Sequence, residues 1–278
     1  LTKKYVICCG DSYTAGDELN GNVVIPGYTE YLWSPRQHGP NPYDNLKNQY
    51  HKAMKRLLKN DNWRYYYQDQ LKMAWPAYLQ RLIDTDVVNI ALGGISNQEI
   101  AHRAMHEFHS MLEYRDPKEL LVIIMVTSSN RIGFPQYNPA IKKMNKYQYQ
   151  SFMSSWMVDG ADGALADMAK QYFLSHNDYD LFWESMKALF TARQYIESYG
   201  TKVVFVDSCL LRYGLNFDLE KMPQVDRLVE ILNPVLSMDD ITKTYPEPAS
   251  LPGGHFCEEI HKLFAEQLAD YLKTNQLL

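Results

Sequence analysis

Four short stretches hold residues whose chemistry could act together: Gly10-Asp11-Ser12, Gly93-Gly94, Asn130 and Gly253-Gly254-His255. In "YVICCGDSYTAGDELNG", Tyr5 to Gly21, an apolar run ends in Gly-Asp-Ser. A serine hydroxyl becomes a useful nucleophile when a base takes its proton. At a helix start, Ser12 would lie among free backbone N–H groups that can hold an oxyanion. The same position suits a plain helix cap, so nucleophile and cap are both open readings. Gly10 suits a tight turn. Gly93 and Gly94 follow one apolar run and precede a helical pattern. Glycine there either lets a ligand approach a backbone N–H or simply turns the chain. Asn130 could donate its amide to the same oxyanion, or serve as a turn residue. His255, in a Gly-Gly loop before the last helical pattern, suits a general base working near neutral pH. His261 lies near the start of that helix.

Other glycine-loop chemistries are excluded. A phosphate loop closes in Gly-Lys-Ser/Thr, but Gly16 is followed by Asp17, whose carboxylate would repel phosphate. The dinucleotide fingerprint Gly-x-Gly-x-x-Gly and the elbow Gly-x-Ser-x-Gly are absent from the stretch. His102, His106 and His109 recur at helical spacing and share one face. Three histidines so placed could bind zinc, or form a polar stripe. No fourth ligand or orienting carboxylate stands out, so neither a metal nor a cofactor is expected.

The elements that must position these groups follow from hydrophobic pattern. "YVICC" (5–9), "VVNIAL" (87–92), "LLVIIMV" (120–126) and "KVVFVD" (202–207) are continuous apolar runs rich in Val and Ile. Such runs suit strands buried on both faces, as in a parallel sheet. Helical patterns lie between and after them, at 96–115, 178–200 and 257–275. The first opens with Ser96 and Glu99, a capping-box pair, and the second stops at Gly200. Alternation of strand and helix predicts an α/β fold around a parallel sheet. Residues at about 22–75 and 134–176 do not fit a minimal βα repeat. The first is rich in Tyr, Pro, Asn and Trp, and both are read as partly helical insertions at one end of the sheet. With no repeat, linker or low-complexity tract, residues 1–278 are read as a single domain.

Composition narrows the classes. The chain of 278 residues is 46% hydrophobic and 22% charged, which is globular and enough for a substantial core. Its formal net charge of -5 and lack of a basic stripe argue against a nucleic-acid partner. The one basic cluster, "HKAMKRLLKN", has helical spacing and reads as a solvated face. No run approaches the ~20 apolar residues of a membrane span, and no charged-then-apolar leader precedes Tyr5. Cys8, Cys9, Cys209 and Cys257 show no C-x-x-C spacing. They read as reduced, mostly buried thiols, with Cys8 and Cys9 on opposite faces of their strand. The expected setting is cytoplasmic or virion-associated, with no signal peptide and no expectation for oligomeric state.

Taken in chain order, the blocks "GDSYTAG", "NIALGGISN", Asn130 after a strand, and "GGHFCEEIHKLFAEQL" resemble the SGNH hydrolase superfamily, also called GDSL esterases and lipases. The resemblance runs from Gly10 to His261. It implies a three-layer α/β/α sandwich of flavodoxin-like type with a central parallel sheet. It implies Ser12 as nucleophile and first oxyanion donor, Gly94 and Asn130 as further donors, His255 as base, and Asp11 as a structural holder of the loop. The implied activity is ester hydrolysis through an acyl-enzyme, without cofactor, on a small-molecule or glycan ester. The many Tyr and Trp residues, 21 and 5, make an O-acetylated carbohydrate the first expectation; they could equally fill the space between insertions and sheet. Two departures stand out. The family's Gly-x-Asn-Asp block reads Ser128-Ser129-Asn130-Arg131, and the acid three residues before the histidine is replaced by Pro252. A Ser-His dyad, substitution by Glu247, or a catalytically degenerate glycan-binding or virion structural protein are the open accounts. Details of the blocks are also similar to SGNH-like proteins of tailed bacteriophages.

Overall fold

The Val- and Ile-rich runs pair into one parallel sheet. The computed structural model describes residues 5–16, 19, 72–129, 131–137, 147–152, 164–208, 223–246, 249, 251 and 255–278. Its elements in chain order are β1 (Tyr5–Cys9), α1 (Ser12–Ala15), α2 (Trp75–Ile83), β2 (Val87–Asn89), α3 (Asn97–Met111), β3 (Leu120–Val126), β4 (Ile132–Tyr137), β5 (Tyr147–Phe152), α4 (Ala164–Ser175), α5 (Asp178–Glu197), β6 (Lys202–Asp207), α6 (Pro223–Leu232), α7 (Met238–Thr244) and α8 (Glu258–Thr274). The sheet order is β2-β1-β3-β6, with every neighbouring pair parallel. β1 and β3 are central and buried, as their unbroken apolar sequence requires.

Helices cover both faces, giving the three-layer α/β architecture expected from the sequence. On one face Val6, Cys8, Ile123, Met125 and Val206 pack against Trp75 and Leu79 of α2 and Ile260, Phe264 and Leu268 of α8. On the other, Ile7, Cys9, Ile124 and Phe205 meet Ile100 and Phe108 of α3 and Phe182, Met186 and Leu189 of α5. Each such side chain contributes about 1.5–3 kcal/mol when fully buried. Adjacent Cys8 and Cys9 point to opposite faces, as the strand period demands. Burial pushes the Cys9 thiol up to about 12 and Cys8 well above its ordinary range.

Local signals account for the helix ends. Ser96 caps α3 by accepting from the Glu99 N–H at 3.3 Å. Asn177 and Asp180 form a reciprocal capping box on α5. Beyond the end of α5, Gly200 takes a positive φ of 86°. The 134–176 segment differs from its expectation. It holds helix α4, but also contributes to an antiparallel ribbon, β4 with β5, which starts at Ile132. The Tyr-Gln alternation of "YQYQSF" is the period-2 pattern of a strand. The segment 22–71 and the basic stretch "HKAMKRLLKN" lie outside the described residues. No helix among the described residues is long and apolar enough to cross a membrane.

One buried histidine joins two helices. The backbone N–H of Trp75, at the start of α2, donates to His261 Nδ1 on α8 at 3.2 Å. His261 is fully buried, and its Nε2 has no partner among the described residues. Burial, with a smaller contribution from nearby His255, pushes its pKa from 6.5 down to about 3. Between those values the unfolded chain binds a proton here that the folded chain excludes. Stability therefore falls as pH drops below about 6.5, by at most ~1.4 kcal/mol per pH unit. Urea midpoints should decline from pH 7 to pH 5 in the wild type, and decline less in His261→Gln; equal slopes would remove His261 as the cause.

Candidate active site

Chain order in the sheet creates the location. From β1 the chain moves to β2 on one side, then crosses to β3 on the other. The loops leaving β1 and β3 diverge there, and such a switch point at the carboxyl ends of parallel strands is where open α/β sheets bind ligands. Ser12 follows β1 at this switch point, and Thr127 to Ser129 follow β3 beside it.

Gly10 is required by packing rather than by a left-handed turn, since its φ is not positive. A Cβ there would press on Thr14 Oγ1, 2.8 Å from Thr14 Cβ and 3.0 Å from Met125 Cβ. Asp11 then supplies the cap that the sequence left open between two readings. Its Oδ1 accepts from the Tyr13 N–H at 3.1 Å, and its carbonyl accepts from Thr14 and Ala15. Ser12 is thus the first helical residue and not the cap. The Gly16 N–H returns to the Ser12 carbonyl. This accounts for the amide donors of the first turn except one. Among the described residues, no hydrogen bond uses the Ser12 N–H or its hydroxyl.

Asp11 also ties the two diverging loops. Its Oδ2 accepts from Thr127 Oγ1 at 2.6 Å and from Arg131 Nη1 at 2.8 Å. Asp11 is 0% exposed and Arg131 4%. Arg131 stands where the family block carries an acid, so this departure forms an ion pair with the Asp of the first block. Asn97 at the start of α3 clamps Thr127, donating to its carbonyl at 2.8 Å and accepting its N–H at 2.9 Å. Ser129 Oγ and Arg131 Nε are buried without partners among the described residues.

The loop after β2 closes the other side. Asn89 donates to the Thr14 carbonyl at 2.8 Å and accepts from the Ala91 N–H, while the Leu92 N–H reaches the Gly10 carbonyl at 3.2 Å. These bonds bring the Gly93-Gly94 turn alongside α1. Gly94 has φ +79°, and a Cβ built on it meets nothing within 4 Å. The space on the side where a Cβ would lie is therefore open. Sequence reasoning assigned no role to Asn89, Asn97, Thr127 or Arg131. Of these, Asn89 carried a usable signal, as the first residue of the block "NIALGGISN".

His255 comes from the loop before α8. Its carbonyl accepts the Leu251 N–H at 2.7 Å, and the Cys257 N–H reaches the Ala249 carbonyl at 2.7 Å. The His255 ring packs on Tyr13, centroid to centroid 5.0 Å, and Phe256 packs on the same ring at 5.2 Å. The structure thus brings Ser12, Gly94 and His255 to one end of the sheet, with His255 against the residue following Ser12. Asn130, Glu247 and Pro252 lie outside the described residues. Cys257 is buried, and desolvation raises its pKa; neither it nor Cys8 or Cys9 is a thiolate near neutral pH. In the histidine stripe, His109 Nδ1 lies 2.9 Å from the Tyr195 hydroxyl, and the His102 and His106 rings are 6.5 Å apart. No group of three or more metal-ligating side chains occurs among the described residues.

No family model and no curated protein matches the chain. Among solved structures it is similar to a G-D-S-L-family protein of Desulfitobacterium hafniense, at 13% identity and TM-score 0.47, covering 96% of this chain and 98% of that one. A lipolytic G-D-S-L-family protein of Veillonella parvula gives 11% and 0.45, with 97% and 98% covered. A Corynascus carbohydrate esterase of family 2 with a carbohydrate-binding domain gives 10% and 0.48, with 99% and 67% covered. The first two carry the family description that the sequence blocks resemble. At such identities and scores the likeness does not bear on which residues react.

The packing at Gly10 has a measurable consequence. Gly10→Ala should lower stability by about 1–3 kcal/mol through overpacking against Thr14 and Met125. An unchanged urea midpoint would show that the turn has room to spare.

Proposed function

We propose that the chain is a serine ester hydrolase of the SGNH type, with Ser12 as nucleophile and His255 as its base. One observation carries the reading. Asp11 takes the capping role, which leaves the Ser12 hydroxyl and N–H without a hydrogen bond among the described residues, at the switch point. A plain structural serine at a helix start would be expected to spend its hydroxyl on the cap.

In this reading His255 takes the hydroxyl proton as Ser12 Oγ attacks the ester carbonyl. The tetrahedral oxyanion is held by the N–H groups of Ser12 and Gly94 and by the Asn130 amide. Collapse expels the alcohol, which leaves with the proton from His255, and Ser12 keeps the acyl group. Water then attacks, giving its proton to His255, and the acid departs as Ser12 recovers a proton. In this reading His255 moves from its seat on Tyr13 to reach Ser12; catalytic hydrogen bonds often tighten only with substrate bound. Glu247 is the proposed orienting acid in place of Pro252. The Tyr- and Trp-rich insertions favour an O-acetylated carbohydrate, whose ring faces pack on aromatic side chains.

A second reading has its own support. Pro252 cannot orient an imidazole, and no hydrogen bond joins Ser12 to His255. These features fit a non-catalytic glycan-binding or virion protein on the same scaffold.

Covalent labelling by a fluorophosphonate, read by intact mass, decides between them. The wild type should gain one adduct, and Ser12→Ala should gain none while keeping its urea midpoint. An unlabelled wild type, also inert to a small sulfonyl fluoride, would favour the binding reading. Separately, Glu247→Gln should slow labelling and shift its pH profile; an unchanged rate and profile would remove Glu247 from the mechanism.

A further inference from the structure

The carboxylate of Asp11 poses a problem for any anion beside Ser12. It belongs to the preceding residue, is fully buried, and points into the first turn to accept the Tyr13 N–H. Repulsion between two unit charges at roughly 5 Å, with an effective dielectric of ~20, equals about two orders of magnitude in rate. Tyr13 N–H and the Thr127 hydroxyl are neutral donors and leave the charge in place. Among the described residues, Arg131 is the cation paired with Asp11, at 2.8 Å and 4% exposed. Burial on both sides shields this pair from solvent, so its charges act at nearly full strength.

We propose that Arg131 is a positioning residue for the reaction at Ser12: it neutralises the buried Asp11 carboxylate and so lets an oxyanion form at the Ser12 N–H. The inference rests on the ester-hydrolase reading. It explains why a basic residue at position 131 accompanies an acid at position 11. The pair keeps the geometric service of Asp11, a cap at one oxygen and a tie between loops at the other, while removing its field. A tie alone would need only a donor, which Thr127 already provides.

Two measurements on the same four proteins test it: the fluorophosphonate labelling rate per folded molecule, and the urea midpoint. The proteins are the wild type, Arg131→Met, Arg131→Lys, and the neutral pair Asp11→Asn/Arg131→Met. In the last, the carboxamide that replaces the Asp11 carboxylate can still accept from the Tyr13 N–H and donate to Thr127. Arg131→Met should label about 100-fold slower than the wild type, whereas Arg131→Lys and the neutral pair should recover to within about tenfold. Arg131→Met labelling at the wild-type rate, or a neutral pair no faster than Arg131→Met, would overturn the proposal. If Arg131→Met does not fold, a folded and labelled neutral pair supports it, and an unfolded one overturns it. An unlabelled wild type would instead overturn the hydrolase reading. The urea midpoints then decide the charge compensation: Arg131→Met lowered with the neutral pair restored upholds it, and both lowered alike removes it.

Discussion

A single buried carboxylate organises this end of the molecule. Asp11 must satisfy both of its oxygens away from water, because a buried charge left unpaired costs several kcal/mol. One oxygen does so inside its own turn, at the Tyr13 N–H; the other reaches across the sheet to Thr127 and Arg131. The partners come from the ends of two adjacent parallel strands. Meeting the demands of one side chain therefore fixes the separation of the two loops that flank the crevice. Asn97 extends the same constraint to α3 by holding both backbone groups of Thr127.

The consequence for Ser12 is one of elimination. Backbone donors in a first helical turn seek acceptors, and here the side chain and carbonyl of Asp11 serve three of them. What remains is the N–H of Ser12 itself. The hydroxyl is spared for the same reason, since the cap that serine would otherwise supply is filled. On the opposite side, Asn89 and the Leu92 N–H bind the β2 loop to the Gly10–Thr14 turn. Gly94, whose positive φ of 79° would strain any other residue, follows in the loop held this way. The loops after β1 and β2 are thus joined at this end of the sheet by ordinary hydrogen-bond satisfaction.

Much of this was legible in the sequence, where the signal was local. The four strands were readable because both faces of a parallel sheet are buried, which writes an unbroken Val/Ile run. β1, β3 and β6 match their runs from end to end, while β2 stops at Asn89, where the side chain leaves the ladder to hold the turn. Helices α3, α5 and α8 announced themselves by caps and amphipathic spacing. Ser12, Gly94 and His255 were visible as polar or glycine residues at strand and helix ends. The β4–β5 ribbon was missed because its Tyr-Gln alternation has no long apolar run, and α2 because it opens where an aromatic-rich segment ends. Gly10 was recognised for the wrong reason: close packing with Thr14 and Met125, not backbone freedom, excludes a side chain. The Asp11–Arg131 pair left no local trace at all, because its members are 120 positions apart.

That pair also changes how the departures from the family pattern are to be weighed. Read alone, Arg131 in the place of an acid looks like erosion of a motif. In the fold it is matched: its charge meets an opposite charge with both side chains buried, a position where a mismatched residue would be costly. Erosion would leave partners unpaired, whereas here a basic substitution in one block is answered by the acid of another. Pro252, three positions before His255 in the sequence, is a separate departure. The His255 ring rests on Tyr13, and Tyr13 is itself fixed through its N–H to Asp11. The carboxylate that caps the turn carrying Ser12 therefore also fixes the residue on which the His255 ring packs. An imidazole supported by a fixed ring needs less from an orienting acid than one held only by its own loop.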